Sequence, residues 1–245
     1  MSNILAESYE TYRENLKLIV LFSISFVIAF AIPLLAPLPT YISAGAIFLR
    51  NASIFSNGNV SAIALVVITL STIFSMLFLS FAFVAISLIV KARKTHVNIS
   101  NRAFNDIEKY VGKVFIIFAP AMFIVLMVNL LGYISGGSAF LTPVIEFIIF
   151  TLIFYAPAAI VIDNKSIVRS IKESIRLVVG QPKYFVLWLV LAFVIISLAD
   201  LVIIFATGTF WSRYIMLVVN SLFITPYFVI LAVESYTRRF KLLSH

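Results

Sequence analysis

Apolar residues fill long, nearly uninterrupted stretches of this chain, and polar residues gather between them. Six runs stand out, at 18–38, 62–90, 114–134, 141–162, 184–206 and 214–233. The hydrocarbon core of a bilayer, about 30 Å thick, is crossed by roughly 20 apolar residues rising 1.5 Å each. Each run therefore predicts a membrane-spanning helix. A second pattern precedes every other run. Leu5, Tyr9, Tyr12 and Leu16 recur at spacings of 4, 3 and 4 before Lys17, and Phe104, Ile107 and Val111 at 3 and 4 before Lys113. Ile167, Ile171, Ile175 and Val178 recur at 4, 4 and 3 before Lys183. These are one-sided helical stripes, with Arg13, Glu14, Glu108, Lys109, Lys172, Glu173 and Arg176 on the other side.

The two patterns together predict an all-α polytopic membrane protein of a single domain, 1–245. Its six spans form three hairpins, each preceded by a cytoplasmic amphipathic helix lying at the interface. Two spans return the chain to its starting side, so the units 1–95, 96–163 and 164–245 would be parallel copies, a threefold repeat. The first span is expected to be retained, because a helix-forming, acid-containing segment precedes it in place of the short basic one of a cleaved signal.

Composition supports this picture. Of 245 residues 62% are hydrophobic and 11% charged, against about a quarter charged in soluble domains. The net charge of +8 matters through its placement. Sixteen of the 18 Lys and Arg lie in the segments 1–17, 91–113, 163–183 and 235–245, leaving Arg50 and Arg213 on the other side. By the positive-inside rule both termini of this cell-membrane protein are cytoplasmic. The basic excess then reads as topology and contact with anionic lipid, not as nucleic acid binding.

Candidate chemistry is sparse. No cysteine is present and histidine occurs only as His96 and His245, so thiol catalysis is excluded and no His-rich metal site can form in the spans. No catalytic constellation or cofactor loop is found, and a non-enzymatic protein is expected, with no cofactor and no metal. Charges inside lipid are costly and mark functional or packing sites. Glu146 and Asp200 are two such residues. At 1.5 Å per residue, Asp200 lies about 24 Å from the basic edge, and Asn129 and Asn220 fall at similar depth with Arg213 at the rim. These five define a candidate polar pocket near the outer face, or helix-to-helix hydrogen bonding with the same residues. Glu234 and Asp163 are expected at span ends close to water. Lys17, Lys113, Arg169, Lys172, Arg176 and Lys183 are the candidate contacts to lipid or a partner. Sequons at Asn51 and Asn59 are matched by others at Asn98 and Asn164 on the opposite face, so they occur no more than chance allows.

The stretch FYAPAAIVIDNKSIVRSIKESIRLVVGQPKYFVL carries Pro157, Asp163, Ser170, Ser174 and Gly180 in the order span, proline, membrane-edge acid, Ser-x-x-x-Ser helix, glycine. In this it resembles the membrane domain fused to some glycerophosphoryl diester phosphodiesterases, and a wider set of uncharacterised six-span prokaryotic membrane proteins. A weaker echo of span, proline and acid runs from Pro226 to Glu234. The resemblance implies a standalone membrane module; the phosphodiesterase's catalytic domain has no counterpart here. Two functions stay open. One is a scaffold or accessory module contacting lipid, a partner protein or a second copy of itself. The other is a small-solute or ion transporter or channel using the polar layer.

Overall fold

The computed structural model describes residues 2–35, 62–95, 101–134 and 141–238, all of them in helices and tight turns. The sequons at Asn51, Asn59 and Asn98 lie outside these residues. The helices are α1 (Ser2–Glu14), α2 (Leu16–Leu35), α3 (Ala62–Thr95), α4 (Asn101–Ile134), α5 (Leu141–Ile153), α6 (Ala156–Asp163), α7 (Ile167–Gly180), α8 (Pro182–Val219) and α9 (Thr225–Thr237), with a π-turn at Asn220–Ile224 before α9. Five helical segments are long and apolar enough to cross a membrane, or six if α1 and α2, bent by 90° at Asn15, count as one.

Breaks fall where the backbone demands them. Pro157 has no N–H to donate back along the chain, and the fourth span is split there into α5 and α6 by a turn at Phe154 and Tyr155. Pro226 has the same effect in the sixth span, where the π-turn absorbs the lost bond. In that turn the Thr225 hydroxyl donates to Asn220 Oδ1 at 3.2 Å. Gly208, with φ 74° and ψ 168°, divides α8 into the fifth and sixth spans, in a backbone region open in practice to glycine alone.

Three second-of-hairpin segments, α3, α6 and α9, pack on one another and form the middle of the bundle. Their buried positions include many small residues: Ser80, Ala82, Ala85 and Ser87 on α3, Ala156, Ala158 and Ala159 on α6, Ala232 and Ser235 on α9. Between membrane helices close backbone approach through small residues replaces the hydrophobic drive. The hydroxyls bond within their own helices, Ser80 to the Met76 carbonyl, Ser87 to Phe83 and Ser235 to Leu231, each at 2.7 Å. They are satisfied without water. Around the trio, α2 and α4 flank α3, α5 lies against α4, and α8 leans on α9 and its π-turn. Only 11% of the most apolar 18-residue stretch within Pro182–Gly208 is buried, against 61% of that within Thr69–Thr95 of α3, so the fifth span is a peripheral helix.

Two short amphipathic helices cover one end of the trio. α1 packs on α9, and α7 packs on α6. In both, the face buried against the protein is offset from the apolar stripe of the sequence. In α7 the fully buried residues are Ser170 and Ser174, with Val178, while Ile175 is exposed. In α1 they are Ile4, Ser8 and Thr11, while Tyr9 is exposed. The residues 101–113 differ from both: they continue into the third span as one helix, α4. No proline interrupts them, whereas Gly180 and Pro182 separate α7 from α8.

Candidate functional site

At this end of the bundle the sequence brings together most of its described charged residues. α7 begins after Asn164, whose left-handed backbone (φ 51°) closes α6 in the C-terminal turn that asparagine tolerates. Splitting the fourth span leaves the Tyr155 N–H without a helical carbonyl, and Ser174 Oγ accepts from it at 2.9 Å. A small hydroxyl residue serves both needs at once: it lets the α7 backbone come close and it caps α6 inside an apolar surrounding. That explains why the serine face turns inward at the expense of Ile175. The family-like residues Pro157, Asp163, Ser170 and Ser174 thus gather at the α6–α7 junction, and Gly180 ends α7 with an exposed surface.

The acids and cations then divide into two groups. The first is internal. Glu234 is 1% exposed, because α1 folds across the end of α9, and its carboxylate sits 2.5 Å from Lys94 Nζ and 3.3 Å from the Thr11 hydroxyl. Lys94 also donates to the Thr237 hydroxyl. Arg93 straps α1 down: it reaches Glu14 at 3.0 Å, Glu10 at 3.2 Å and the Thr11 hydroxyl at 2.6 Å. Arg238 adds a 3.0 Å pair to Glu7. On the other side Tyr236 donates to Asp163 at 2.6 Å, and Lys165 bridges Asp163 and Glu173 at 3.3 and 3.2 Å. Lys91 donates to the Val161 carbonyl at 2.7 Å and Lys113 to Asn164 at 3.3 Å. Tyr12 lies edge-on to Tyr227 at 6.0 Å, and burial there pushes its phenol above the ordinary value.

The second group faces outward on α7. Arg169, Lys172 and Arg176 are exposed, and no ion pair links them to a described residue. At 3.6 residues per turn, Ile175, Val168 and Val179 fall side by side, and Lys172, Arg176 and Arg169 follow next round the helix. Val168 is 63% and Val179 76% exposed. Lys17 and Lys183 are exposed as well, Lys183 lying over the Tyr184 ring at 5.1 Å.

The five residues of the outer layer are dispersed among elements. Glu146 is buried on α5, against a cavity lined by Met76, Phe118, Met122 and Ile149, and neither Asp200 nor Asn220 lines it. Asp200 is half-buried on α8, and the Asn220 side chain accepts from Thr225 inside the π-turn. The side chains of Asn129 and Arg213 lie outside what is described. Sequence reasoning missed the burial of Glu234 and its pairing with Lys94. A signal was available: Glu7, Glu10 and Glu14 share a face of α1 at spacings of 3 and 4, and the end of α3 offers Arg93 and Lys94.

The chain matches no family model, and no curated protein and no solved structure is significantly similar to it.

Proposed function

We propose that the chain is a non-enzymatic membrane module that holds anionic lipid against its cytoplasmic face, with α7 as the contact. One observation carries this reading. Lys91, Arg93, Lys94, Lys113, Lys165 and Arg238 are engaged within the protein, while Arg169, Lys172 and Arg176 point away from it beside an exposed apolar edge. A helix at the headgroup boundary needs both edges, one for acyl chain and one for phosphate. The positive-inside distribution puts this end in the cytoplasm.

The same reading includes the threefold repeat 1–95, 96–163 and 164–245. Each amphipathic segment meets the last span of the unit before it: α7 on α6, the start of α4 on α3, where Lys91 lies over the Tyr110 ring at 5.4 Å, and α1 on α9. That is the order of a closed ring. Hydroxyl residues face inward in both separate cases, Ser8 and Thr11 on α1, Ser170 and Ser174 on α7. The likeness to the phosphodiesterase-fused membrane domain supports reading these residues as such a membrane module. A transport reading has less support, since span hydroxyls such as Ser23, Ser80 and Ser87 bond their own helices and offer no relay.

The test replaces Arg169, Lys172 and Arg176 together by Gln and measures anionic against zwitterionic lipid retained through purification. A basic residue near an anionic surface contributes about 1 kcal/mol, so three account for about 3 kcal/mol, or roughly a hundredfold in affinity. The variant is expected to lose its anionic enrichment; enrichment equal to that of the natural protein contradicts the proposal.

A further inference from the structure

Two cavities adjoin in the middle of the bundle. The central one has about 40 Å³ open to the centre of a water-sized sphere and touches every span, through Phe26, Phe83, Phe118, Phe154, Trp188 and Phe228 among others. The second, about 30 Å³ by the same measure, reaches from Met76 and Ala121 to Glu146. They share Phe118, Phe150 and Ile153 as walls. A water needs about 10 to 15 Å³ of such space and two to four polar partners. The central cavity has the room but not the partners, because the polar groups of its described lining, the Thr225 hydroxyl and the Trp188 indole N–H, already donate to Asn220 and to the Phe228 carbonyl. Left empty, it would forfeit the dispersion contacts of its aromatic walls.

α5 and α8 meet along a seam. This seam is closed by rings: Phe147 and Phe150 stand 6.5 and 6.2 Å from Phe185, and Phe150 stands 5.7 Å from Trp188. Phe147 is itself 47% exposed, and the fifth span behind these rings is the least buried of the bundle's spans. Side-chain rotation is fast compared with helix displacement, so a ring-closed seam opens more readily than an interlocked one. Outside it lies hydrocarbon.

We propose that the end of a membrane lipid's acyl chain enters between α5 and α8 and fills these cavities, resting against Trp188. The occupant is chosen by chemistry: the walls are almost wholly apolar, and in a bilayer the one abundant apolar chain at that depth is the lipid's own. This site does not rest on the headgroup contact of α7, and loss of either leaves the other standing.

Bromine on an acyl chain quenches indole emission at short range, and the chain has two tryptophans, Trp188 and Trp211. In the Trp211→Phe variant Trp188 reports alone. Reconstituted in phosphatidylcholine brominated near its chain ends, this variant is expected to lose most of the emission it shows in unbrominated lipid. Filling the central cavity from either of two walls, by Ala232→Phe on α9 or by Leu79→Phe on α3 in that background, is expected to restore the emission, each variant being compared with itself in the two lipids. Two positions guard against one substitution failing to fold. Equal emission in the two lipids, or a loss undiminished in both filled variants, overturns the proposal.

Discussion

Replacing Lys94 by Met removes the charge opposite the most deeply buried carboxylate at the basic end. Glu234 is 1% exposed, with Lys94 Nζ at 2.5 Å and the Thr11 hydroxyl at 3.3 Å. Breaking a buried ion pair from one side costs about 3–5 kcal/mol, because a charge is left out of water without compensation. Here Lys94 is 32% exposed, so water reaches one side of the pair. We therefore expect a loss of about 2–3 kcal/mol. Glu234→Met should cost less, since the remaining ammonium swings to solvent. With both replaced, the site becomes apolar, and the double variant should be more stable than Lys94→Met by about 1–2 kcal/mol. Equilibrium unfolding in detergent micelles of the four proteins gives the coupling directly. Additive single effects, or a Lys94→Met variant as stable as the parent, would refute the claim that this pair closes the end of α9.

Ser174→Ala deprives the Tyr155 N–H of its acceptor, and a buried unsatisfied donor costs about 1–3 kcal/mol in the same unfolding assay. Arg93→Ala releases α1: its ion pairs are half exposed and cost globally no more than about 1 kcal/mol. Amide exchange over residues 2–14 should nonetheless rise while residues 167–180 stay as they were. Gly208→Ala forces a side chain to a φ of 74°, at about 1–3 kcal/mol. Among the described residues no atom lies within 4 Å of the added methyl, so the loss in the same unfolding assay is that of the backbone alone.

The spans were legible in the sequence because burial in lipid needs only length and apolarity; their breaks were not, since Pro157 and Pro226 interrupt their spans while Pro120 stays inside the unbroken α4. Rotation about each helix axis was not legible. Apolar spacing put Ile175 and Tyr9 on one-sided stripes at the interface but could not say which face the protein covers, because in a membrane an apolar side chain is equally at home facing lipid. Close packing and the orphan Tyr155 N–H turned Ser170 and Ser174 inward instead. For the outer polar layer, rise per residue fixes the depth of Glu146, Asp200 and Asn220 but not their direction, and the cavity that Glu146 lines is bordered by neither of the other two. Glu234 looked close to water because it ends a span; the sign that α1, more than 220 residues earlier, folds across it lies only in the match between the acidic face of α1 and Arg93 and Lys94.

The central claim is that the outward edge of α7 lies in the bilayer surface with Val168 and Val179 toward acyl chain. The chain has no cysteine, so single nitroxide labels at Val168→Cys, Val179→Cys and Glu173→Cys need no background removal. In anionic vesicles, the account predicts that labels at 168 and 179 collide with dissolved oxygen and are shielded from a water-soluble nickel chelate. The label at 173 should show the reverse. If labels at 168 and 179 are as open to the chelate as the one at 173, α7 does not rest on the membrane and the proposed lipid contact is wrong.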